Sequence, residues 1–115
     1  MNIYQKYYHF KEYTGMYVKN ITYCEISNFL CGMNYIDNSF LFEFRDWINT
    51  KFNIKSPFYW VYLIETLYTG VYEYENLNEE LLLKLKTQYK TDIDFLFALI
   101  DEFLENKEQS RSLVF

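Results

Sequence analysis

Apolar positions recur at helical spacing through most of the chain. Phe40, Phe44, Trp47 and Ile48 fall at i, i+4, i+7 and i+8, the stripe of an amphipathic helix that buries one face. Phe40, Phe42 and Phe44 also alternate with Leu41, Glu43 and Arg45 as a strand would, but Asp46 to Lys51 favours the helical period, and Asp37, Asn38 and Ser39 supply a cap. Upstream, Thr22 and Glu25 form a T-x-x-E capping box, after which Cys24, Phe29, Leu30 and Met33 predict a helix over 22–35. Ser56-Pro57 marks a start with proline at the first helical position, and Gly70 marks a stop. Between them Phe58 to Tyr68 is apolar nearly all round, as a central buried helix would be. A short helix over 78–89 carries Glu79 and Glu80 in its first turn, where they oppose the positive end of the helix dipole. Thr91 with Asp94 caps a last helix whose Ile93, Phe97, Ile100 and Leu104 share a face. With an N-terminal helix near 2–13, the expectation is an all-α fold. It is a single compact domain of five to six helices around an aromatic-rich core, spanning 1–108, with 109–115 as a frayed tail and fraying setting in from 106.

Composition narrows the function. Aromatic residues make up 23% of the 115, with 13 Tyr, 11 Phe and 2 Trp against one His and three Gly, a balance that suits contact surface more than catalysis. Glycine scarcity excludes phosphate-cradling loops. The longest apolar run, Pro57 to Ile64, is far short of the roughly 20 residues that cross a bilayer, and Met1 to Tyr13 lacks a signal-peptide apolar stretch, so no membrane association and a cytoplasmic location are expected. Cys24 and Cys31, about 10 Å apart along one helix, are too distant to bridge and are expected as reduced core thiols. The sequon Asn20-Ile21-Thr22 carries no weight without a secretory route.

Candidate chemistry is thin. His9 has only Glu12 at ligand spacing, so no metal site is expected. Glu65, the one carboxylate in the apolar fourth helix, would act as an acid or base only if buried. Asp92, Asp94 and Asp101-Glu102 lack the glycine and ligand spacing of a Ca²⁺ loop. Ser27, Ser39, Ser56, Ser110 and Ser112 sit in no nucleophile elbow. No catalytic residue, metal or cofactor is therefore expected, and the chain reads as a non-enzyme.

Charge is uneven. Residues 1–72 carry six acids and six bases, whereas 73–108 carry ten acids against four lysines, an excess that Arg111 trims to the net charge of −5. Such a field repels nucleic-acid backbones and favours a basic protein partner. Tyr4, Tyr7, Tyr8, Tyr72 and Tyr74 are too many for the core alone, and Tyr72 and Tyr74 alternate with Glu73 and Glu75. The expected partner-binding set is Tyr72, Glu73, Tyr74, Glu75, Glu79, Glu80, Asp92, Asp94, Asp101 and Glu102.

Several segments resemble a set of small bacterial proteins in order along the chain. Tyr13-Thr14-Gly15-Met16-Tyr17-Val18 is similar to their R-P-G-M-Y-[ILV]-G opening, and Phe29-Leu30-Cys31-Gly32 to their F-[LI]-x-G-Y helix. Phe44 to Ile48 with Lys51-Phe52 resembles F-x-x-W-[LIV]-x-x-[KR]-[FY], Trp60 with Ile64 resembles W-x-x-x-I, and Leu99 to Phe103 resembles L-L-D-E-F. Tyr13, Thr14 and Lys19 depart from the usual Arg, Pro and Gly, and Val71 to Asn78 looks like an insertion. The resemblance, covering about residues 13–104, is to immunity proteins of polymorphic toxin and contact-dependent growth inhibition systems. It implies a cytoplasmic helical protein that binds and blocks one toxin domain, and the acidic half of the chain makes a basic nuclease the expected toxin. A non-enzymatic adaptor acting as a homodimer is the alternative expectation.

Overall fold

Six α-helices and no strand make up the described residues of the computed structural model, which describes the backbone of residues 1–71 and 73–113 and the side chains of that span through Glu108. The all-α expectation holds. Contacts gather the chain into two compact units, Met1–Phe42 and Glu43–Phe115.

In the first unit, α1 (Ile3–Glu12) opens with a reciprocal capping box: the Asn2 carboxamide accepts from Gln5 N–H and the Gln5 carboxamide accepts from Asn2 N–H, each at 2.9 Å. At its other end the Thr14 hydroxyl donates to the carbonyls of Phe10 and Lys11, two of the acceptors a helix end leaves unpaired, and a 3₁₀ turn over Thr14–Met16 follows. α2 (Tyr23–Ile36) starts at Thr22, whose hydroxyl accepts from Glu25 N–H. The Glu25 carboxylate reaches past Thr22 to Asn20 N–H at 2.8 Å, so the expected box closes two residues further out. Tyr7, Phe10, Ile26, Leu30 and Phe40 are fully buried, and Phe10 stacks on Phe29 with ring centroids 4.3 Å apart. Cys31 is half-buried, but Cys24 is exposed, against the expectation of a core thiol. It lies outside the Ile26–Leu30–Met33 stripe that α2 buries.

In the second unit, α3 (Phe44–Phe52) packs on α4 (Trp60–Thr69), α5 (Glu79–Gln88) and α6 (Asp92–Leu113), and α4 also packs on α6. Phe44, Ile48, Trp60, Leu63, Phe95, Ile100 and Phe103 are among its core residues; each such side chain contributes about 1.5–3 kcal/mol by leaving water. Three expected boundaries move. α3 begins at Phe44 and not near Phe40, because the Asp37 carboxylate closes a turn on Ser39 and Glu43, at φ 64°, redirects the chain into the helix. Phe40 is buried nonetheless, ahead of the helix. α4 begins at Trp60 and Pro57 is outside it, because Asn49 grips Ser56 by both its N–H and its carbonyl and holds that segment against α3. α6 runs to Leu113, past the expected onset of fraying, as no glycine or proline interrupts the sequence after Asp92. Thr91 accepts from Asp94 N–H and Gly70 ends α4 at φ 81°, as the pattern places them, while Asn78, expected as the first residue of a helix, is its cap and accepts from Leu81 N–H.

Candidate functional site

The expected partner-binding residues fall at four places in the second unit. Glu73, Tyr74 and Glu75 are on the connection between α4 and α5, with both carboxylates exposed and Tyr74 half-buried; Tyr72 lies outside the described residues. Glu79 and Glu80 are exposed in the first turn of α5, and Asp94 is exposed in the first turn of α6. Asp92, half-buried, turns its carboxylate onto Ile93 N–H at 2.8 Å. Asp101 and Glu102 are half-buried two turns further on. Glu102 is engaged within the chain, its carboxylate 2.8 Å from Lys51 Nζ.

Two grooves flank α3, and Thr50 lines both. The first, about 660 Å³, brings Glu73, Tyr74 and Glu75 together with Asn49, Asn53 and Lys55. It exists because the α4–α5 connection is tied to the end of α3: Asn53, in the left-handed region at φ 56°, donates from its carboxamide to the Asn76 carbonyl at 2.9 Å, and Asn78 N–H donates to the Phe52 carbonyl at 2.8 Å. The segment that reads as an insertion therefore forms one wall of a groove.

The second groove, about 540 Å³, lies between α3 and the later part of α6 and is lined by Glu43, Asp46, Trp47, Phe103, Asn106 and Lys107 along with Thr50. Trp47 and Phe103 are 5.7 Å apart between ring centroids and form its apolar side. Both rings carry a cation of the chain itself: Lys51 Nζ lies 5.4 Å from the Trp47 centroid and Lys107 Nζ 4.9 Å from that of Phe103. Asp46 has a loose partner in its neighbour Arg45 at 3.3 Å, both well exposed, a pairing that contributes little in water. Glu43, Asp46 and Trp47 are absent from the acidic set expected from charge counting, which looked beyond residue 72. Asp46, Trp47 and Thr50, at i, i+1 and i+4, share the side of α3 away from its buried Phe44, Ile48 and Phe52, so Trp47, half-buried, departs from the buried stripe expected of it, and Glu43 precedes the helix.

Glu65 is exposed on α4, without the burial that acid–base work at that position requires. His9 Nδ1 pairs with the Tyr17 hydroxyl. Among the described residues no three His, Cys, Asp or Glu side chains gather to hold a metal, and no helix is long and apolar enough to cross a membrane. Of the tyrosines expected in excess of the core, Tyr8 is exposed, Tyr4 and Tyr74 are half-buried and Tyr7 is fully buried, and Tyr13, Tyr17, Tyr35, Tyr59 and Tyr62 are exposed as well. No protein-family model, curated protein or solved structure matches the chain.

Proposed function

We propose that this chain is an immunity-type protein that binds and neutralises a cognate toxin domain, a basic nuclease, in the cytoplasm. The observation that carries the reading is the exposure of Glu73, Glu75, Glu79 and Glu80 along one stretch from the α4–α5 connection into α5. Carboxylates placed in water on a helical scaffold create a field that draws in a cationic protein and turns away nucleic acid, so the inhibitor competes with the toxin's own substrate for the same basic surface. The resemblance of the segments between Tyr13 and Phe103 to immunity proteins supports the same role.

Inducible expression of the neighbouring upstream reading frame, with and without this chain, tests it by cell growth. Toxicity relieved only by this chain is the expected result. A harmless neighbour, or toxicity this chain does not relieve, rejects the reading. One observation favours a second reading, a homodimeric adaptor: Phe58, Tyr59 and Tyr62 are 47–63% exposed around the start of α4. Mass in solution that rises with protein concentration, together with failure to protect cells, selects it.

A further inference from the structure

The groove between α3 and the later part of α6 combines features that a neutral docking surface does not need. Its apolar side is two aromatic faces, Trp47 and Phe103. Each holds an intramolecular ammonium within cation–π range, Lys51 over Trp47 and Lys107 over Phe103. Two carboxylates, Glu43 and Asp46, stand on its α3 rim. Lys51 is 13% exposed and locked to Glu102, so it belongs to the wall. Lys107 lines the open groove from within α6, six residues before that helix ends.

We infer that this groove is a docking site for an arginine-bearing segment of a partner protein, the guanidinium lying on the Phe103 and Trp47 faces in place of the Lys107 ammonium and forking to Glu43 and Asp46. Arginine fits better than lysine for three reasons. Its plane stacks on an aromatic face, its donors match carboxylates in pairs, and its weaker hydration lowers the cost of leaving water. The volume of about 540 Å³ takes several side chains, so flanking residues of the segment enter as well. The proposal names the partner-contacting surface of the immunity reading and rests on it for the partner's identity, but the groove is testable alone.

The two tryptophans give two indole N–H signals in a ¹H–¹⁵N spectrum, and Trp60, 2% exposed, serves as the internal reference. The probes are acetyl-Gly-Arg-Gly-amide, its lysine counterpart and its uncharged citrulline counterpart. The arginine peptide is expected to move the Trp47 signal saturably, the lysine peptide more weakly and the citrulline peptide not at all, with Trp60 unmoved. Glu43→Gln combined with Asp46→Asn weakens binding about threefold or more, and Lys107→Gln strengthens it about threefold by vacating the Phe103 face. Lys84→Gln, which removes the same charge from the exposed side of α5, leaves it unchanged.

No saturable shift, an equal response to citrulline, or an equal gain from Lys84→Gln and Lys107→Gln overturns the proposal. A Trp47 signal that moves with protein concentration and not with peptide also overturns it, with a second copy as the occupant. The cellular assay separates the two readings. If the Glu43→Gln, Asp46→Asn chain still protects fully, the groove is not the inhibitory contact and the immunity reading survives; if the groove binds arginine but the chain protects nothing, the groove stands and the immunity reading falls.

Discussion

Lys51 Nζ lies 2.8 Å from the Glu102 carboxylate and 5.4 Å from the centre of the Trp47 ring, a clamp between α3 and α6. The two partners are unequally placed, with 13% of the Lys51 side chain exposed against 42% for Glu102. That inequality decides how the clamp responds to mutation. Glu102→Gln leaves a mostly covered ammonium without its counter-charge, whereas Lys51→Met leaves a carboxylate that water can solvate and keeps the stem packed. We expect Glu102→Gln to cost about 1–2 kcal/mol and Lys51→Met about 1 kcal/mol or less. Urea unfolding of the two variants checks the order, and a larger loss in Lys51→Met contradicts it. Loss of partner binding in a Glu102 variant must therefore be read alongside its stability.

Glu43 is in the left-handed region at φ 64° and makes no side-chain capping bond to α3. A residue with a Cβ pays roughly 1 kcal/mol there, and glycine does not. Glu43→Gly is thus expected to raise the melting temperature by a few degrees while weakening the groove's hold on the arginine peptide. Opposite movements of stability and binding in one variant are the signature of a strained residue kept for its contact. A variant that melts lower shows that the Glu43 conformation is not strained.

Two glycines give opposite expectations for one substitution. Gly70 ends α4 at φ 81°, and a Cβ built there meets nothing within 4 Å, so Gly70→Ala suffers only from the backbone and is expected to lose about 1 kcal/mol. Gly32 is in the interior of α2 with equally open space, so Gly32→Ala is expected to gain about 0.5–1 kcal/mol through helix propensity. Thermal unfolding of the pair checks both signs.

Trp60 Nε1 is buried and makes no hydrogen bond, while the indole ring packs 5.8 Å from Phe44. Deleting an unpaired buried donor returns part of what a smaller ring loses in packing. Trp60→Phe is expected to cost no more than about 1.5 kcal/mol, and Trp60→Ala about 3–5 kcal/mol. Similar losses in both variants would mean that the indole N–H has a partner in solution.

What was legible in the sequence is what neighbouring residues decide. The caps at Thr22 and Thr91 and the stop at Gly70 each rest on a contact within four residues, and the pattern located them. The start of α4 was not legible, since Pro57 is overruled by the grip of Asn49 on Ser56. Asp37 looked like a helix cap because an aspartate that closes a turn on Ser39 has the same local signature. Exposure of Glu73, Glu75, Glu79 and Glu80 followed from their polarity. The α3–α6 groove did not, because it needs Trp47 and Phe103 brought together from distant parts of the chain, and charge counting alone does not see an aromatic floor.

Two classes of acid should act on different rates of partner association. Glu79 and Glu80 are exposed at the start of α5 and line neither groove, so their effect on an approaching basic protein is through the long-range field. Fields act before contact, and salt screens them beyond about 8–10 Å. Glu79→Lys with Glu80→Lys is expected to slow association severalfold and flatten its salt dependence, leaving dissociation nearly unchanged. Glu43 and Asp46 line the groove, where contact and desolvation happen after encounter. Their neutralisation is expected to speed dissociation severalfold with a smaller effect on association. Stopped-flow association and dissociation against the captured partner, at low and high salt, separate the two classes. If Glu79 and Glu80 control dissociation while Glu43 and Asp46 have no effect on it, the inhibitory contact is on α5, and the groove beside Trp47 is not where the partner sits.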